Sequence, residues 1–188
     1  MLGLVLFLGV HSVRIVSEDF RARQRMRLGE NGWKGLYSLA SIAGFALIVW
    51  GYGQARQQPV ILWPAATWLR HVAAVLTLVS FVFVTAAYVP GNGLKARLKH
   101  PMVLGVKVWA FAHLIANNTL ADLLLFGSFL VWAVFSFRAA KARDRAAGTT
   151  NPPGTVARTL LTVVIGTGAW LAFALWGHTL LIGVRPFG

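Results

Sequence analysis

Lys99-His100-Pro101-Met102-Val103-Leu104-Gly105-Val106-Lys107-Val108-Trp109-Ala110-Phe111-Ala112-His113 is the stretch that decides the fold. Apart from its charged entrance it reads as one continuous apolar helix. A lysine, Lys107, and a histidine, His113, nevertheless lie inside it. An ionisable group within hydrocarbon is costly, so an intramembrane one marks a functional site by default. The stretch therefore predicts a membrane-spanning helix that carries chemistry.

Working outward, five further apolar segments approach the twenty or so residues that a bilayer span needs. The six together are Met1–Val16, Gly35–Tyr52, Ala66–Val89, Met102–Asn117, Leu120–Phe137 and Thr159–Ile182. The chain has 188 residues, is 57% hydrophobic, and sets 18 Lys and Arg against 5 acids. The cations fall between the apolar runs, which suits anionic headgroups and topology determination better than nucleic acid. One set of connections holds Arg14, Arg21, Arg23, Arg25, Arg27 and Lys34, then Lys95, Arg97 and Lys99, then Arg138, Lys141, Arg143, Arg145 and Arg158. The opposite side holds only Arg56, Arg70 and Arg185. The positive-inside rule then predicts an all-α, integral membrane bundle of six transmembrane helices with both termini periplasmic. The N-terminus has no basic region before its apolar run and reads as a retained helix. The 1-188 chain reads as a single transmembrane domain in a bacterial inner membrane. Asn151-Pro152-Pro153-Gly154 reads as a flexible linker. Trp50, Trp109, Trp132 and Trp170 are expected in the core, and Trp33, Trp63, Trp68 and Trp176 in interfacial belts.

With no cysteine in the chain, thiolate chemistry, disulfides and Cys metal sites are excluded, and the five histidines carry the candidate chemistry. At 1.5 Å per helical residue, His178 lies about 6 Å, His71 about 8 Å, His113 about 6–9 Å and His11 about 15 Å below the outer surface. Imidazole is the commonest metal ligand, and bundles hold cofactors between facing helices. The deeper pair, His11 and His113, is the candidate ligand set. His71 and His178 are expected to make interhelical or interfacial hydrogen bonds. His113 shares its face with Trp109 and Asn117, and Asn117 is a candidate acceptor for the ring N–H that a ligating histidine leaves over. Arg14 lies one turn beyond His11; it either holds an anionic group there or pairs with Glu18. Lys107 either serves a site or snorkels to the inner headgroups. Asp122, near an outer helix end, is expected to meet Arg70, His71 or water.

Several of these segments carry a family resemblance. Gly9-Val10-His11-Ser12, Gly29-Glu30-Asn31-Gly32-Trp33-Lys34-Gly35-Leu36-Tyr37-Ser38, His100-Pro101-Met102 with Trp109 and Ala112-His113-Leu114, and Trp176-Gly177-His178 to Arg185-Pro186 resemble the NnrU family of membrane proteins. That resemblance implies a role in denitrification and nitric oxide metabolism. The plant zeta-carotene isomerase resembles the same family. In that enzyme two histidines bind haem b, which isomerises a polyene, and by motif position its ligands correspond to His11 and His113. A further histidine of the plant motif is missing here, with Trp132 and Ala133 near its place. The implied cofactor is haem b, and the implied partners are membrane lipids and a hydrophobic or NO-related ligand, in a monomer or a homo-oligomer. His100-Pro101 followed by Gly105 also resembles the Arg-His-Pro motif of integral-membrane methyltransferases. Here Lys99 replaces the arginine, and Asp144 is the one acid after the following helix. On that alternative, or on that of a non-enzymatic assembly factor, S-adenosylmethionine or no cofactor at all replaces haem.

Overall fold

The computed structural model describes residues 1–187. Its regular elements are helical: α1 (Leu2–Val16), α2 (Glu18–Ala55), α3 (Leu69–Tyr88), α4 (Gly93–Leu98), α5 (Pro101–Ala116), α6 (Leu120–Ala146), α7 (Val156–Ala172), a π-helical turn (Phe173–Gly177) and α8 (His178–Ile182). Four helical runs are long and apolar enough to cross a membrane: α2, α3, α6 and the continuous Val156–Ile182. α1 and α5 are apolar but shorter.

Hydrogen bonds sort the connections into two ends. At one end Leu62 N–H donates to Asn118 O and Leu120 N–H to Val60 O, each at 2.9 Å, which ties the α2–α3 connection to the α5–α6 connection. Arg56 reaches the Ile182 carbonyl there at 2.8 Å. At the other end Thr155 N–H donates to Gly91 O at 2.9 Å, and Arg143 donates to the Arg14 carbonyl at 3.4 Å. The apolar segments thus alternate in direction, and the cation-rich connections share one end.

In space the helices form a row in the order α2, α1, α6, α5, α3, α7. Small residues hold it together: Ala73, Ala86, Ala110, Ala112, Ala133 and Ala140 are buried, while dozens of large apolar side chains face outward. That inversion suits lipid, where helices associate by close backbone approach rather than by hiding oil from water. At the α1–α2 crossing Gly3 and Gly44 allow the approach, since a Cβ on Gly44 would stand 2.8 Å from Phe7 N.

The structure changes several sequence expectations. The first basic connection is not a loop. Ser17 caps a helix at Glu18 by accepting from Phe20 N–H, and Glu18 pairs with Arg14 at 3.0 Å and Arg21 at 2.7 Å. These i,i+3 and i,i+4 pairs support a charged helix that hydropathy alone reads as loop. This arm meets the apolar part of α2 at Gly29, whose φ of 71° and ψ of 166° break the helix in a region that glycine enters without penalty. α6 continues past Phe137 to Ala146 for the same reason: charge ends the apolar pattern but not the helix. The Asn151–Gly154 segment is docked rather than flexible. Asn151 donates to Lys95 O, and Gly154 lies so close to Asn92 and Gly93 that a Cβ would overlap their backbone. Trp50 is 66% exposed and belongs to the outer surface of the row rather than its core.

Candidate functional site

α6 positions the site. Its residues Phe126, Phe129 and Trp132 form a slowly turning aromatic face against which both α1 and α5 lean. On α1, Phe7 and His11 are one turn apart and stack at 4.2 Å. Phe7 meets Phe129 at 5.8 Å, and His11 meets the edge of Trp132 at 6.1 Å. On α5, Trp109 meets Phe129 at 5.5 Å and Phe126 at 5.1 Å, and His113 stacks on Phe126 at 4.6 Å. Tyr37 of α2 closes the His11 side at 5.2 Å. An aromatic ladder therefore runs from one candidate imidazole to the other through Phe7, Phe129 and Trp109.

The two imidazoles are prepared alike. His11 Nδ1 lies 2.7 Å from the Phe7 carbonyl and His113 Nδ1 lies 2.9 Å from the Trp109 carbonyl. A carbonyl only accepts, so Nδ1 carries the hydrogen in both rings and each Nε2 presents a lone pair. This is how backbone carbonyls fix the tautomer of metal-ligating histidines. Beside His11, the Trp132 indole N–H is buried with no acceptor among the described residues, and such an orphan calls for an explanation.

The rings do not touch. α1 and α5 do not pack on one another; α6 stands between them. His113 is level with Phe126 and His11 with Trp132, and those six residues correspond to about 9 Å along the helix. The difference in depth read from the sequence is thus present in the fold.

The remaining candidates fall elsewhere. Asn117 does not serve the His113 ring: its Nδ2 caps α5 by donating to the His113 carbonyl at 2.8 Å, because the ring has already found the Trp109 carbonyl one turn back. Arg14 turns away from His11 to Glu18. Lys107 lies toward the basic end, in a groove described below, on a different face of α5 from His113. His178 is half-buried and donates from Nδ1 to Val184 O at 2.7 Å. His71 is exposed. His100 is paired with Asp144 at 2.8 Å, edge-on to Phe137. That pair ties α6 to the mouth of α5 and uses the acid that a methyltransferase reading requires. Asp122 meets neither Arg70 nor His71. It accepts from Tyr52 at 2.5 Å and from Thr119 at 2.6 Å, closing a capping box at the start of α6.

Sequence reasoning missed Trp132 as a site residue and Asn92 as a structural one. Asn92 is 1% exposed and bonds Ala86 O, Val89 O and Lys95 N–H. Its signal was the Pro-Gly-Asn-Gly turn at 90–93. Trp132 was noted only as a core residue near the place of the plant motif's further histidine, because its partners lie on other helices.

These features define a helical membrane protein with two imidazoles lodged against a shared aromatic helix. The NnrU protein family model matches residues 1–186, and the chain belongs to that family. No curated protein and no solved structure matches it.

Proposed function

We propose that this NnrU-family protein binds haem b along the aromatic face of α6, with His11 and His113 as its iron ligands, in a six-span inner-membrane topology with both ends periplasmic. One observation carries the reading: His11, its Nδ1 held by the Phe7 carbonyl, packs against Trp132, whose buried indole N–H has no partner among the described residues. The donor chemistry fits haem, since imidazole is a common axial ligand of haem iron and Phe, Tyr and Trp supply an apolar surface for a porphyrin. One iron can take both imidazoles only if they meet on opposite sides of it, so binding would require α1 and α5 to shift and close the offset of about 9 Å across Phe129.

Bound haem would supply a redox-active iron, open to a gaseous ligand such as nitric oxide or to a polyene double bond once one of the two imidazoles is released. The chain's own contribution is orientation and dryness. The Phe7 and Trp109 carbonyls lock the ring planes, Phe126 and Phe129 exclude water, and the Trp132 N–H offers one hydrogen bond to a polar substituent or bound ligand. A connection to denitrification and nitric oxide metabolism rests on the family. The test is an absorption spectrum of detergent-purified protein after haem supplementation. A Soret band is expected, and its absence ends the proposal.

A further inference from the structure

The opposite side of α6 carries a second feature. Nine residues separate Phe129 from Arg138, so the two point about 180° apart on the helix. Val134, Arg138, Lys141 and Arg145 form a stripe there at helical spacing. With Lys107 of α5 and Ile15 of α1 they line an open groove of about 790 Å³. Lys107 is half-buried and six residues along α5, roughly 9 Å from its start. Four cations thus share one groove, and among the described residues none of them joins an ion pair. Asp144, next to Arg145 on α6, is engaged by His100 at 2.8 Å. Lys141 rests over the Phe137 ring at 5.6 Å. Its walls mix charge with apolar side chains, and Ile15, Val134 and the exposed Phe135 lie beside the cations.

We infer that this groove is a binding site for an anionic phospholipid, its phosphate held by Lys107, Arg138 and Lys141 and its acyl chains laid along Ile15, Val134 and Phe135. Lys107, half-buried within an apolar run, is costly there unless an anion joins it, and basic grooves between membrane helices suit phosphate headgroups. The apolar wall selects an amphiphile over a free ion. The inference stands apart from haem, because the groove and the histidines occupy different faces of α6.

The test titrates full-length protein in a neutral maltoside with dioleoylphosphatidylglycerol and with dioleoylphosphatidylcholine, reading bound lipid by native mass spectrometry. The anionic lipid is expected to bind at least tenfold more tightly. Lys107→Gln with Arg138→Gln is expected to weaken it about thirtyfold, the equivalent of ~2 kcal/mol for two basic side chains near a membrane surface. Arg23→Gln with Arg27→Gln, two exposed cations on the arm of α2, is expected to leave binding within twofold. If circular dichroism shows the first pair unfolded, Lys141→Gln with Arg145→Gln at the exposed end of α6 carries the same expectation of loss. Equal affinity for the two lipids, or an equal loss in the arm variant, overturns the inference. Full displacement by millimolar inorganic phosphate also overturns it, assigning the groove to a free anion.

Discussion

Asp122 of α6 accepts the phenolic hydrogen of Tyr52 of α2 at 2.5 Å. Asp122 is 6% exposed, and its second oxygen is engaged by Thr119. One carboxylate therefore caps its own helix and fastens a helix seventy positions earlier in the chain. Tyr52→Phe removes one hydrogen bond to a charged, buried acceptor without changing shape, and such bonds contribute about 1.5–3 kcal/mol. The thermal unfolding midpoint in detergent is expected to fall accordingly. An unchanged midpoint means that α2 is held by its crossing with α1 alone.

That crossing offers its own comparison. Gly44→Ala places a Cβ 2.8 Å from Phe7 N, where backbone has to move, whereas Gly9 has no heavy atom within 4 Å of its added Cβ. Overpacking costs about 1–3 kcal/mol. Gly44→Ala is expected to lower the unfolding midpoint clearly and Gly9→Ala to leave it unchanged or slightly raised. Equal responses in the two variants contradict the close approach of α1 and α2.

For the proposed haem site, His11→Ala and His113→Ala are each expected to weaken or shift the Soret band. His178→Ala, whose ring is tied to the Val184 carbonyl, is expected to leave it in place. Trp132→Phe keeps the aromatic wall and deletes only the unpaired N–H. It is expected to retain the band while altering the reduction potential or the spectrum of the nitric oxide adduct. If His11→Ala and His113→Ala both leave the spectrum of haem-loaded protein untouched, other residues hold the iron.

Asn92 provides a test of the basic end. Asn92→Ala leaves the carbonyls of Ala86 and Val89 and the Lys95 N–H without their partner in a buried turn. Each orphan of this kind costs roughly 1–3 kcal/mol. A large loss of stability is expected, with faster proteolytic cleavage near Asn151–Gly154, the segment that docks on this turn. Unchanged cleavage there means that the docking does not depend on Asn92.

Much of this architecture is legible from residue order. Four of the six apolar runs return as helices of crossing length, and the other two return as α1 and α5, within a residue or so of the ends expected for them. Hydropathy works because each run must satisfy its own backbone before it meets a neighbour. It fails where charge and helix coexist, as in the Glu18–Leu28 arm and the last turns of α6. There Arg–Glu pairs, caps and side-chain stems support a helix that apolar pattern does not report. The face of each imidazole was legible from spacing: Trp109 does adjoin His113, and Arg14 does reach Glu18. Their partners were not. The carbonyl that holds His113 is the Trp109 one rather than Asn117, and the ladder from Phe7 to Trp109 is assembled by α6, whose insertion between α1 and α5 is a tertiary fact with no trace in local sequence.

The order of helices in the row also has a consequence for access. Its two outermost members, α2 and α7, share no packed backbone, and Arg56 just past α2 donates to the Ile182 carbonyl at the end of α8, the continuation of α7. Parting those edges breaks a solvent-exposed bond of roughly 0.5–1.5 kcal/mol instead of a helix interface. Opening along that seam therefore unseats no packed pair of helices.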